Sequence, residues 1–260
     1  MVINARREGL TRGQSMPLNL PKTLREFPLG AIRNPQIVKG IPADGLEELR
    51  IDLQTLGNLM ICFDAESEAT VVAAGETHLL PQRIERDGNI LFVEGRNMGA
   101  YVRQGQKQKF LIEMHIPVQT TVRIAFVAGV VILNGGEGDV AIRGKFGEVA
   151  GITHSKNIRI QLRGGDVSLN ELSGAADIDV SLGSVTLGWT ELRGAERVKV
   201  HCGFGGVDLL LPADVAPLET QGGLFKEKQV TTPSGADIYA RIGFGGLDVL
   251  DWGVEQPDNG

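Results

Sequence analysis

Val122–Leu133 reads VRIAFVAGVVIL, Val140–Gly151 reads VAIRGKFGEVAG, Ile158–Leu169 reads IRIQLRGGDVSL and Ala176–Leu187 reads ADIDVSLGSVTL. Laid over one another, the four segments repeat every 18 residues. Gly129, Gly147, Gly165 and Gly183 form one column, and Val131, Val149, Val167 and Val185 follow two residues later. A third column is Ile124, Ile142, Ile160 and Ile178. Between the columns apolar and polar residues alternate, as strands with one buried face require. A fixed long period of short alternating strands predicts an all-β fold, a single-stranded right-handed parallel β-helix (solenoid) with coils stacked about 4.8 Å apart. One coil cannot bury its own inward side chains. In a stack each Val or Ile is covered above and below, worth roughly 1.5–3 kcal/mol per fully buried side chain. The glycines mark corners, where the chain needs conformations closed to β-branched residues.

The regular solenoid is expected over 122–252. Residues 49–121 carry apolar runs at 49–53, 58–63, 69–74, 90–93 and 109–117 without the repeat register, and read as irregular early β-coils or a small β-lobe. Residues 1–48 read as an extended basic arm: Pro17, Pro21, Pro28, Pro35 and Pro42 preclude a helix, while Leu18, Leu20, Leu24, Phe27 and Ile32 provide apolar anchors. Residues 253–260 form a polar tail. After Leu187 the glycine step lengthens, which predicts an enlarged loop around Trp189–Arg197. Gly203-Phe204-Gly205-Gly206 recurs as Gly243-Phe244-Gly245-Gly246, expected two longer coils further along.

Charge is divided along the chain. Within residues 1–40, Arg6, Arg7, Arg12, Lys22, Arg25, Arg33 and Lys39 face only Glu8 and Glu26, a net +5, so the rest carries −11 of an overall −6. An acidic body with few aromatics lacks the basic, stacking surface that nucleic acid requires. No apolar run of about 18 residues and no secretory leader pattern is visible, so the expected compartment is the cytoplasm. Cys62 and Cys202 read as free thiols, and His78, His115, His154 and His201 are scattered without metal-ligand spacing. His201 is expected outward and Cys202 inward, as strand neighbours are. Gly135-Gly-Glu-Gly-Asp139 is similar to calcium-binding β-roll repeats but occurs once. Asp139, Glu148, Asp166, Asp208 and Asp248 adjoin corner glycines, where carboxylates are ordinary turn chemistry. No catalytic residue, metal ligand or cofactor site is assigned.

The Ile116-Pro117-Val118 strand exit, the Gly-x-Val coils at Gly138–Val140 and Gly165–Val167, and the Leu211-Pro212 ending together resemble the bacterial putative-adhesin β-solenoid family. The twin Gly-Phe-Gly-Gly segments also resemble the C-terminal domains of LiaF-like envelope-stress proteins, and the coil length is similar to that of bactofilins. The resemblance covers about residues 49–250 and implies roles in adhesion, envelope stress or scaffolding. The leading expectation is a non-catalytic cytoplasmic scaffold or interaction module. It would form a homo-oligomer or dock a protein partner through its solenoid ends and its arm, with Arg6, Arg7, Arg12, Phe27 and Arg33 as contact residues. An envelope-stress or membrane-proximal sensor whose arm meets an anionic membrane surface is the alternative. A carbohydrate-binding or carbohydrate-active β-helix ranks third.

Overall fold

The computed structural model describes residues 35–75, 80–95, 110–194, 196–212, 218–222, 225–231 and 235–251. Arg6, Arg7, Arg12, Phe27 and Arg33 lie outside the described residues, as does the polar tail. The described chain is all strand and connection, in the order β1 (Ile37–Pro42), β2 (Glu48–Cys62), β3 (Glu68–Gly75), β4 (Arg83–Asp87), β5 (Ile90–Gly95), β6 (Phe110–His115) and β7 (Thr121–Asn134). There follow β8 (Val140–Ile152), β9 (Asn157–Asn170), β10 (Ala175–Gly188), β11 (Arg197–Leu211), β12 (Leu218–Gly222), β13 (Phe225–Thr231) and β14 (Asp237–Asp251). All join one 14-stranded sheet.

The body of that sheet is a parallel stack. β2, β7, β8, β9, β10, β11 and β14 lie side by side in that order, and like residues meet across every step. Val122 pairs with Val140, Val140 with Ile158, Ile158 with Ala176, Ala176 with Val198 and Val198 with Ile238. Partners in the regular part are 18 residues apart, as in the Arg143–Gln161 side-chain hydrogen bond of 3.3 Å. β2 belongs to the same stack, since Leu49, Ile51, Leu59 and Ile61 pair with Val122, Ile124, Val131 and Leu133. It is a full rung despite lacking the repeat spacing, because β3 to β6 intervene in sequence before β7.

From β7 to β11 and in β14 each long strand changes the parity of its buried residues midway, whereas β2 keeps one parity across a register shift between Leu53 and Leu56. In β9, Ile158, Ile160 and Leu162 point inward before Gly165, and Val167 and Leu169 after it. The glycine absorbs the extra step with φ of +118°. Its neighbour imposes a second demand, because a Cβ at Gly165 would lie 1.7 Å from the Gly147 carbonyl oxygen. The same contact recurs at Gly147, Gly183, Gly205 and Gly245. Elsewhere in the core, size is balanced between rungs: the Phe126 ring occupies the space beside Gly144, where a Cβ would lie 2.5 Å from its Cζ.

The loop between β10 and β11 is enlarged, as the lengthened glycine step predicts. Trp189 enters the core from it fully buried, and the buried Glu196 carboxylate accepts hydrogen bonds from Arg193 N at 2.8 Å and Gly194 N at 2.7 Å. The twin Gly-Phe-Gly-Gly segments correct one expectation. They sit on adjacent rungs, with Phe204 paired to Phe244, because the residues between them form strands β12 and β13 instead of further parallel coils. β13 runs antiparallel along Asp237–Ile242 and covers half of the terminal rung. At the other end, β5 and β6 pair with β2, β3 pairs with β6, and β1, drawn from residues read as arm, pairs with β3.

Replacing a ladder glycine should therefore cost far more than replacing a nearby one. Gly165→Ala is expected to lose on the order of 2–4 kcal/mol from backbone strain and collision, whereas Gly206→Ala, with open space around its Cβ, should stay near wild type. Urea unfolding of the two variants checks this, and equal losses would refute the ladder argument.

Candidate functional site

The residue just before the corner glycine keeps the parity of the buried set that precedes it, and in β9 it is the buried Gly164, yet on four other rungs it stands exposed. In β8, β10, β11 and β14 that residue is large and apolar: Phe146, Leu182, Phe204 and Phe244 are 57%, 53%, 54% and 66% exposed. Leu182, Phe204 and Phe244 are register partners. The Phe204 and Phe244 rings stack with centroids 5.0 Å apart and planes 8° from parallel. Phe146 leans toward Gly164 on the next rung, where a Cβ would lie 3.0 Å from its Cδ1. The result is an apolar ridge along one corner of the stack. Isolated exposed hydrophobics need no explanation; an aligned series makes this ridge the candidate surface of the molecule.

Opposite charges flank this ridge. On the strand segments entering the corner, Arg143, Lys145, Arg163 and Arg241 outnumber Asp179. Further out on that side Arg123, Arg159, Arg197 and Lys199 line a shallow groove with Asp139 and Asp177, and Arg159 donates to Asp177 at 2.9 Å. On the segments leaving the corner the charged residues are Glu148, Asp166, Asp208 and Asp248. Asp166 accepts from Ser184 Oγ at 2.6 Å and Ser184 N at 2.8 Å on the next rung. Asp208 and Asp248 are register partners. Burial, reinforced by the Asp248 charge, raises the Asp208 carboxyl above its ordinary value.

A second grouping joins residues distant in sequence. Cys62 at the end of β2 pairs with His115 at the end of β6, with Glu113 two residues earlier on β6. The Cys62 Sγ, a Glu113 oxygen and a His115 ring nitrogen lie within 4.8 Å of one another. His115 Nδ1 is 2.7 Å from Asp64 Oδ1 and its Nε2 is 3.2 Å from Glu113 Oε1. Burial opposes charge on the His115 ring, but its hydrogen bonds to Asp64 and Glu113 outweigh burial and raise its pKa. Burial, with the Asp64 and Glu113 charges, pushes the Cys62 thiol up to about 11. Sequence spacing missed this cluster because its members meet only through the β2–β6 pairing. The available signal was alternation, which sets Met60 and Cys62, and Glu113 and His115, opposite the core-facing Leu59, Ile61, Ile112 and Met114.

The residues singled out from the sequence fall in two places. The valine and isoleucine columns lie in the core, and Gly129, Gly147, Gly165 and Gly183 line the corner. Cys202 is buried and His201 is exposed, 3.3 Å from Asp179. The Gly135–Asp139 carboxylates do not converge: Glu137 accepts from Gln119 at 2.5 Å and Asp139 from Asn157 at 2.8 Å.

No protein-family model matches the chain, and no curated protein matches it in sequence. Among solved structures, a “putative cell adhesion protein” from Clostridium sporogenes is similar in fold, with a TM-score of 0.50 and 10% identity over 84% of this chain and 100% of that one. At that identity the likeness concerns the fold.

The Asp208 shift gives a pH signature. A carboxyl with a raised folded-state pKa contributes stability below its unfolded value and loses it as pH rises through the folded value. Asp208→Asn is accordingly expected to raise Tm at pH 7, with the advantage disappearing below about pH 4, where the unfolded aspartate is also protonated. Thermal scans across pH check this, and an advantage that grows on acidification would refute it.

Proposed function

We propose that the protein is a non-catalytic scaffold, a right-handed β-solenoid of about 18 residues per coil preceded by an extended proline-rich arm, that assembles with a second copy of itself. The observation that carries this reading is the apolar ridge with basic residues on one side and acidic residues on the other. Rotating one copy by 180° about an axis parallel to the ridge brings ridge against ridge and sets each basic flank over the partner's acidic flank. Rotation about an axis across the ridge sets like charges together instead. Charge therefore selects the parallel pairing, and because that rotation keeps each rung at its own level, Phe204 and Phe244 of one copy face Phe204 and Phe244 of the other. Burying aromatic side chains supplies the affinity, while the flanks set orientation and association rate.

The ridge fits this role better than the solenoid ends. The first half of β14 is already paired with β13, and β2 is already paired with β5 and β6. Among the described residues the sheet then ends in β1 and β12, and Gly243–Asp251 is the half of the terminal rung that β13 does not pair with.

Light scattering over a concentration series tests the reading. The wild-type chain is expected to dimerise, and Phe204→Ser with Phe244→Ser to weaken dimerisation at least ten-fold without loss of the β-sheet circular dichroism signal. Charge design tests the orientation. A variant with acidic flanks on both sides (Arg143→Glu, Lys145→Glu, Arg163→Glu) and one with basic flanks on both sides (Glu148→Lys, Asp166→Lys) should each stay monomeric, yet pair when mixed. A wild-type monomer at all concentrations, or dimerisation indifferent to the ridge, would overturn the proposal.

A further inference from the structure

We propose that Cys62, Glu113 and His115 form a zinc(II) site, with Asp64 holding the histidine in its ligating orientation. The donor set is a thiolate, a carboxylate and an imidazole. That mixture suits a borderline-soft, geometrically undemanding ion and disfavours calcium or magnesium, which take oxygen ligands throughout. Three protein donors leave a fourth position for water or an added ligand, the pattern of open zinc sites.

Three features of the cluster point the same way. The first is proximity. The donor atoms already lie within 4.8 Å of one another, and zinc bonds of about 2.0–2.3 Å would draw them together by roughly 1 Å. They stand on adjacent paired strands, so side-chain rotation suffices and the backbone need not move. The second is the Asp64–His115 contact. Asp64 accepts from Nδ1 at 2.7 Å, which fixes the tautomer and leaves Nε2 facing Glu113. A carboxylate behind a ligating histidine is the usual outer partner at zinc centres. The third is a buried carboxylate that core packing does not require. Glu113 is 8% exposed on the face opposite the main core, while Cys62, 1% exposed, belongs to the small apolar cluster with Met60 and Ile132 on that face. His115 and Asp64 stay partly open to solvent, with side chains 33% and 60% exposed, which leaves a path for the ion.

Binding is balanced by proton release. The Cys62 thiol loses its proton to solvent and forms the Zn–S bond, and a protonated His115 loses its Nε2 proton to expose the ligating lone pair. The bound ion would clamp the end of β6 to the end of β2. This site is independent of pairing through the ridge, so either proposal can fail alone.

The test uses the full chain, stripped with chelator and titrated with cobalt(II) chloride, then with zinc(II) chloride. One cobalt per chain is expected, with thiolate-to-cobalt charge-transfer absorption and tetrahedral d–d bands that zinc abolishes. Cys62→Ser should lose the charge-transfer band, while Cys202→Ser keeps it. His115→Gln and Glu113→Gln should weaken zinc binding at least ten-fold, and Asp64→Asn about 10–100-fold. Zinc should raise Tm in the wild type and in Cys202→Ser but not in Cys62→Ser. No charge-transfer band in the wild type at millimolar cobalt, or a band that survives Cys62→Ser, overturns the site. If Cys62→Ser does not fold, His115→Gln decides: wild-type zinc affinity overturns the proposal and a ten-fold loss upholds it.

Discussion

The close approach of one glycine to the carbonyl oxygen of the glycine beneath it is the contact on which the architecture turns. At the corner, two rungs come too near for any Cβ, and the backbone adopts a φ that other residues strongly disfavour. With that point pinned, strand pairing holds the register on either side, and each inward residue meets its counterpart above and below. In β8, β10, β11 and β14 the residue before the glycine stands exposed at that same corner, although it shares the parity of the buried set preceding it. The ridge and the core columns are two products of one constraint.

Much of this was legible because the repeat is strict where the coils are short. The columns around Gly129, Val131 and Ile124 define register without any knowledge of the chain path. Legibility fades where sequence distance and spatial distance part company. β2 carries the rung pattern in Leu49, Ile51, Leu59 and Ile61, but β3 to β6 separate it from β7 and no period announces it. The second Gly-Phe-Gly-Gly copy looked remote for the same reason, since the strands β12 and β13 lie between neighbours. The ridge is visible in the sequence only as the column Phe146, Gly164 and Leu182, whose place in the alternation is that of inward residues, so the corner geometry alone exposes it. The Cys62–His115 meeting was not readable by spacing, because only the β2–β6 pairing creates it.

Chemistry in this molecule is distributed by position along the stack. The middle rungs are regular, and their outward polar groups are largely occupied by one another, as Arg159 with Asp177 and Asp139 with Asn157. Exposed pairs of this kind contribute little stability individually; they keep the faces solvated and fix the charge pattern beside the ridge. The polar cluster with mixed donors lies instead where the first rung meets its cap. There the repeat is broken, so side chains are no longer bound to match a copy of themselves on the next strand.

The variable distance between paired rungs also orders the assembly of the fold. Through the middle of the stack partners are 18 residues apart, rising to 22 between β10 and β11. The β11–β14 and β2–β7 interfaces must close much longer stretches of chain, roughly one and two doublings of that length, at about 0.6 kcal/mol of closure entropy for each doubling. The penalty is small at equilibrium but falls before any of the rewarding contacts form. Local rungs from β7 to β11 thus make the natural nucleus, and the two capped ends join a template already in place. The long excursions tolerated at both ends are, in kinetic terms, segments whose arrival the nucleus does not await.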